Sequence, residues 1–440
     1  MPAPAVRGPA VPGQVVPVQA VPVQAVPVQT VPVQTVPVQT VAARRATGTR
    51  AWSPARFSGP WQSWHVAGSV ADGGTRAARP GRYPAMDASA LPSPVLVVDM
   101  GAFEANVAAA ERWCHGTAKK IRPHIKAHRT PALALRQLTP ATSGLTCATV
   151  GEAEAMVDAG AGDVLVANEV VDPGKLGRLA ALARRAAVGT AIDAPEAAEA
   201  LGAAARAAGS TVAVLVDVDV GLGRCGVPGP AEAVKLGTVA EQTPGLMLAG
   251  LMGYEGRQRA GGEGRAAVIG HAYEMLAETK RAFGRAGLPV DTVSSAGTST
   301  LREALADPVI TEIQAGTYAL MEADLDGLGL PFGPALSVVA TVISRGPDRA
   351  VLDAGRKSIA GDYGPPRPLI PGAEVTGFNE EHTTLRFPGP SAAPPPALGE
   401  RVALRPAHTR LTFNLHDAVW LAHPDGSFER VPVTARGRSW

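Results

Sequence analysis

The chain has 440 residues but only three cysteines, Cys114, Cys147 and Cys225, an odd and widely spaced set. That excludes a disulfide framework and a paired-cysteine metal site, and it points to the reducing cytoplasm. Charge of one sign is also lacking, with 41 basic against 39 acidic residues and a net charge of +2. Such a balance gives no electrostatic footprint for nucleic acid or an anionic membrane. No apolar run approaches the roughly 20 residues of a membrane helix. Aromatics are scarce at 4%, whereas 46% of residues are hydrophobic, mostly Ala, Val and Leu. This composition suits helices packed on buried strands and a small-molecule partner.

The first 85 residues follow different rules. Residues 16–40 are five copies of Val-Pro-Val-Gln-Ala/Thr. Proline at every fifth position forbids a helix and removes ladder donors from a strand, so residues 1–85 are expected to be a disordered, dispensable tail. The same prolines deny a secretory signal its unbroken apolar run.

From residue 90 onward, short β-branched runs alternate with Ala-rich helical periods. In the helix expected over 102–114, Phe103, Val107, Ala110 and Cys114 share one stripe. Strands are expected near 121–126, 145–149, 163–167, 187–192, 212–217, 246–252, 291–295 and 309–314. Eight strands with helices between them predict an α/β chain folded as a (β/α)8 TIM barrel over residues 86–330. After Leu330 the helices stop. Runs at 336–342, 350–352, 373–387 and 401–404 predict a separate, mainly-β domain over 331–440.

Lys126 lies in the run Arg122-Pro123-His124-Ile125-Lys126-Ala127-His128-Arg129, where the first barrel strand hands over to a helix opened by Thr130-Pro131. Barrels of this kind gather their catalytic groups at that edge. Partial burial beside Arg122 and Arg129 should lower the proton affinity of the amine and make it a nucleophile toward a carbonyl. Two small-residue segments, Ser294 to Ser299 and Gly316-Thr317, follow the seventh and eighth strands, the customary phosphate site of such barrels. Gly221-Leu222-Gly223-Arg224-Cys225-Gly226 formally matches a dinucleotide fingerprint. That reading fails because Val227-Pro228-Gly229-Pro230 interrupts the required helix start and the next strand lacks a terminal acid.

Several motifs stand in family order. They are Pro94 to Asp99, the Lys126 run, Thr146 to Ala153, Gly221 to Gly226, Gly253-Tyr254-Glu255-Gly256, Gln314 to Tyr318, Asp353 to Lys357, Glu380-Glu381-His382 and Asn414 to Asp417. Together they resemble the D-threonine aldolase and D-serine dehydratase family, which belongs with alanine racemase among barrel-type pyridoxal 5'-phosphate enzymes. The resemblance covers about residues 90–440. It implies that Lys126 carries the cofactor and that His124, Arg224 and Tyr254 stand close to it. It further implies that Ser295, Gly297, Thr298, Gly316 and Thr317 hold its phosphate. Gln314 takes the position where alanine racemases carry an arginine facing the pyridine nitrogen.

The resemblance also implies a homodimer and a small amino acid as substrate. In the family a histidine at the position of His408 and an Asp or Cys two residues later bind a divalent metal. Here the second residue is Arg410, which offers no lone pair, so no metal is expected and His408 is expected to act as a base. The implied activity is that of a lyase cleaving a small D-configured β-hydroxy amino acid between Cα and Cβ. The alternatives are a D-serine dehydratase, an amino-acid racemase and a non-catalytic carrier of the cofactor.

Overall fold

The computed structural model describes residues 81–83, 91–258, 264–388 and 394–440. The proline repeat lies outside them. Eight parallel strands form one sheet: Lys120–Ile121, Leu145–Cys147, Asp163–Glu169, Ala187–Ile192, Val212–Asp217, Leu246–Met252, Thr292–Ser295 and Glu312–Ile313. The last pairs with the first, and His124 bridges to Thr146 with the Thr146 amide donating to the Pro123 carbonyl at 2.9 Å. These links close the ring, so the α/β fold class read from the sequence is borne out. The first and last strands are much shorter than expected, because the chain at both positions bends early into the site.

Local chemistry explains the helices between the strands. Asp99 caps the helix Met100–Cys114 by accepting from the Ala102 amide at 2.9 Å, and the stripe of Phe103, Val107, Ala110 and Cys114 is buried as expected. Proline opens Pro131–Arg136, Pro173–Leu182, Pro195–Ala208 and Pro230–Gln242, where its missing N–H costs no hydrogen bond. Val164, Val166, Val214, Val216 and Leu251 are fully buried on the strands these helices cover.

The second sheet is mainly antiparallel and has ten strands. Leu336–Arg345 is its centre, pairing with Arg349–Leu352, Arg401–Arg405 and Val95–Asp99. The region expected as β structure is therefore β structure. Its extent differs in three ways from the sequence reading. Val95–Asp99, inside the segment expected to be barrel, is a strand of this sheet, held between Leu336–Arg345 and the late strand Ala418–Ala422. Its four buried residues in a row, Val95 to Val98, fit a strand covered on both faces. The strands Ala418–Ala422 and Phe428–Pro432 and the helix Thr409–Asn414 were not anticipated, since their apolar runs are short and lie among polar residues. Finally, Gly81–Tyr83, inside the segment expected to be disordered, pairs with Phe428–Pro432 as an edge strand.

One apolar core serves both parts, running from Leu96 and Phe103 through the barrel to Phe413 and Leu421. Phe413 meets the edge of His128 at 6.3 Å between ring centres, which seats the helix Thr409–Asn414 against the lysine segment.

The edge strand supports a prediction. A chain beginning at Met86 loses it and melts lower than one beginning at Gly81 by roughly 1–2 °C, the size expected for the loss of about 1 kcal/mol in a chain of this length. Thermal unfolding of the two truncations checks this.

Candidate active site

The strand that leads to Lys126 ends because its backbone is used up early. The His124 amide donates to the Ala315 carbonyl at 3.0 Å, and the chain then turns through a 3-10 segment, Ile125–Ala127. His128 fixes the far side of that turn. It is fully buried, with Nε2 2.8 Å from Gln137 Oε1 and Nδ1 accepting from the Thr130 amide at 3.1 Å. Gly316 packs directly on the same turn: a Cβ there would lie 2.4 Å from the His124 carbonyl oxygen. Only glycine allows this contact.

Lys126 faces a cavity of about 240 Å³ at the C-terminal edge of the barrel strands. His124, Arg224, Tyr254, Ser295, Gly297, Thr298, Gln314, Gly316 and Thr317 line it too. The sequence had therefore singled out residues from five strand ends that the fold brings together. Lys126 Nζ is 6.0 Å, and the Arg224 guanidinium 5.8 Å, from the centre of the Tyr254 ring. Gln314 Nε2 donates to Ser294 Oγ at 3.0 Å, and the Tyr318 amide donates to Thr298 Oγ1 at 3.0 Å. The glycine-rich segment 221–226 is not a helix start. It is a turn in which Asp219 Oδ1 accepts from the amides of Gly221 and Gly223, both at 3.0 Å, and the next helix begins at Pro230.

His408 is the exception. It is buried behind the cavity wall, with Nδ1 on Asp362, its ring stacked on Tyr363 at 4.1 Å, and Nε2 accepting from Arg410 Nε at 3.1 Å. Arg410 stands between it and the cavity, which Arg410 lines. Further residues that the sequence did not single out complete the wall. Arg257 lines it, and Glu322, fully buried, forms an ion pair with Arg257 at 2.6 Å and another with Arg410 at 3.4 Å. Glu255, also buried, accepts from Ser295 Oγ at 3.4 Å and from Thr300 Oγ1, and so holds the loop after the seventh strand from beneath. Glu255 stood inside the Gly253 to Gly256 motif with no role assigned to it, whereas Arg257 and Glu322 are isolated charged residues of a kind ordinarily found at the surface.

Electrostatics follow from this crowding. Burial, then Arg410 and Arg224, lower the Lys126 amine to about 8. Arg122, expected to contribute, does not: it is spent on Glu312 at 2.8 Å and Asp163 at 2.5 Å in the barrel interior. Burial and the charge of Lys126 hold His124 well below its ordinary value, so its ring is neutral. Burial pushes Cys225 up to about 11 and also raises Tyr254, so both keep their protons at neutral pH.

The cavity suits an anionic, aldehyde-bearing cofactor. Among the described residues that line it are Lys126, Arg224, Arg257 and Arg410, and no carboxylate. Small residues, Ala296, Gly297 and Gly316, leave backbone exposed on one side. A divalent metal does not fit at His408, because its Nε2 already accepts a hydrogen bond and the second position carries a guanidinium. The described group with metal-capable spacing, Glu169, Asp193 and Cys225, does not include His408.

Comparison with known proteins agrees with this geometry. Residues 98–324 match the family described as "Alanine racemase, N-terminal domain", and residues 335–422 match "Putative serine dehydratase domain". D-threonine aldolase of Arthrobacter sp is 40% identical over 361 residues, covering 79% of this chain and 93% of that protein. The chain belongs to the D-threonine aldolase and D-serine dehydratase family. Its members are pyridoxal phosphate-dependent lyases. The crystal structure of D-threonine aldolase from Filomicrobium marinum matches with a TM-score of 0.76 and 37% identity, covering 80% of this chain and 98% of that one. A 3-hydroxy-D-aspartate aldolase of Paracoccus denitrificans is 31% identical, covering 81% and 95%. Among the described residues no helix is long and apolar enough to cross a membrane.

The lowered amine gives a pH prediction. In cofactor-free protein, reductive labelling of Lys126 by a small aldehyde needs the neutral amine, so it rises with pH through a midpoint near 8. Arg410→Met removes a nearby positive charge and moves that midpoint upward. Peptide mapping across a pH series reads both.

Proposed function

We propose that the protein is a pyridoxal 5'-phosphate-dependent lyase that cleaves a small D-configured β-hydroxy amino acid between Cα and Cβ, giving glycine and an aldehyde. The observation that carries this reading is Lys126, an amine near pKa 8 facing a cavity that gathers cations and no carboxylate. The relatives named D-threonine aldolase and 3-hydroxy-D-aspartate aldolase support the choice of bond. A domain division near residue 330 and a homodimer belong to the same reading.

When bound, the cofactor supplies an electron sink for the pair left at Cα as the bond breaks. Lys126 holds it by its amine. The loop amides and hydroxyls of Ser295, Gly297, Thr298, Gly316 and Thr317 would hold the phosphate, and Arg224 would neutralise the phenolate oxygen. Gln314, tied to Ser294, offers a neutral partner to the ring nitrogen rather than a cation. Tyr254 walls the site between Lys126 and Arg224.

Cleavage requires that a proton leave the β-hydroxyl. Among the described titratable side chains that line the cavity, Cys225 and Tyr254 are protonated and three are arginines. Lys126 and neutral His124 remain as acceptors. Lys126 would serve as the acceptor when its amine is not holding the cofactor, and an amine near 8 keeps a useful neutral fraction at physiological pH. His124 is pinned to the turn, its Nδ1 facing the Lys126 amide at 3.5 Å. His408 acts as a positioning residue for Arg410.

With added pyridoxal phosphate the protein turns yellow, and borohydride reduction labels Lys126. Lys126→Ala lowers glycine formation from D-threonine by at least ~10³-fold. Labelling of another lysine overturns the reading. Turnover also survives chelators and gains nothing from added manganese or zinc; stoichiometric metal by elemental analysis, with loss of activity in chelator, overturns that part.

A further inference from the structure

We propose that Arg410 is a specificity-determining residue, a fixed cation that commits the site to β-hydroxy amino acids carrying a second carboxylate, such as D-3-hydroxyaspartate. This rests on the lyase reading above and extends it to the substrate class.

The charge inventory of the cavity is the starting point. Of its four cations, Lys126 carries the cofactor and Arg224 lies on the loop after the fifth strand, on the cofactor side. Arg257 and Arg410 form a second pair. They flank the Tyr363 ring with guanidinium carbons 5.2 and 5.8 Å from its centre, and they share buried Glu322. An α-carboxylate accounts for one of these two cations. The other is surplus for D-threonine, whose side chain is uncharged, and a carboxylate at Cβ uses it.

Arg410 is the better placed of the two to recognise a varying side chain. In both arginines the Nε–Nη2 edge is taken, but Arg257 meets carboxylates twice. Asp324 lies on its Nε, at 3.1 Å, and Nη2, at 2.5 Å, and Glu322 is 2.6 Å from the same Nη2, so its outer end is occupied too. The outer Nη1–Nη2 end of Arg410 meets no described carboxylate. Arg410 has no such bidentate partner among the described residues. It is held from behind by His408 through Nε and by the Tyr363 hydroxyl through Nη2 at 3.1 Å. Its main chain is fixed as well: the Arg410 carbonyl accepts from Arg129, three residues beyond the lysine. Asp362 orients the imidazole so that His408 Nε2 offers a lone pair to Arg410. A planar fork held in this way is a carboxylate receptor, whereas nothing about it reads a methyl group.

The test compares D-threo-3-hydroxyaspartate with D-threonine on the holoenzyme. In the wild type kcat/KM favours the dicarboxylate. Arg410→Met lowers kcat/KM for it by roughly 10–100-fold more than for D-threonine, the size of a lost charged hydrogen bond, with both substrates measured across a pH series so that the raised Lys126 midpoint falls on both alike. Arg410→Lys restores part of the preference. A wild type that prefers D-threonine, or an Arg410→Met that slows both substrates equally, overturns the proposal; the second outcome makes Arg410 the α-carboxylate ligand. If neither compound is cleaved the lyase reading fails. Binding of D-aspartate against D-alanine, followed by thermal shift in wild type and Arg410→Met, then decides the role of Arg410: a preference lost in the variant supports it, and equal binding overturns it.

Discussion

Gathering guanidinium groups around an amine is costly unless each is anchored by a carboxylate set behind it. That constraint organises the site. Glu322 and Asp324 hold Arg257, Glu322 faces Arg410, and Glu152 lies 3.4 Å from Arg129. The acids sit one layer out, at the starts of the helical segments Ala323–Leu328 and Val150–Asp158, so the described lining of the cavity carries positive charge and no carboxylate. The same arrangement lowers the lysine amine, because burial and the guanidinium field act together while the balancing acids stand farther off.

Much of this was legible in the sequence, for a physical reason. The barrel repeats one unit whose strands are buried on both faces, and Val-rich runs between Ala-rich helices announce it. The motif residues around Lys126, Gly297 and Gly316 stood out because glycine and small residues mark close backbone approach. What stayed hidden depended on long-range pairing. Nothing in Val95–Asp99 shows that its partners are Leu336–Arg345 and Ala418–Ala422, and Gly81–Tyr83 lies in a stretch whose composition reads as unstructured.

His408 shows the limit more sharply. A histidine two residues before an arginine reads as a reacting group with a charged neighbour. In the fold Arg410 turns back and takes the imidazole lone pair. The order of the two residues from the cavity is a matter of tertiary path, which local spacing does not encode. Arg257 and Glu322 escaped notice for the opposite reason: isolated charged residues are ordinarily at the surface, and only the fold buries these.

The strand Val95–Asp99 has a consequence for how the molecule is made. It is synthesised before both of its neighbours, Leu336–Arg345 on one side and, lying parallel to it, Ala418–Ala422 on the other. Until residue 422 has emerged, this apolar strand keeps an open edge, a template for pairing with other chains. All eight barrel strands lie before residue 314, but the second sheet cannot be completed before residue 432 has emerged. Gly81–Tyr83 also waits for a late partner in that sheet, Phe428–Pro432, so a product truncated before residue 418 keeps an unprotected, adhesive strand.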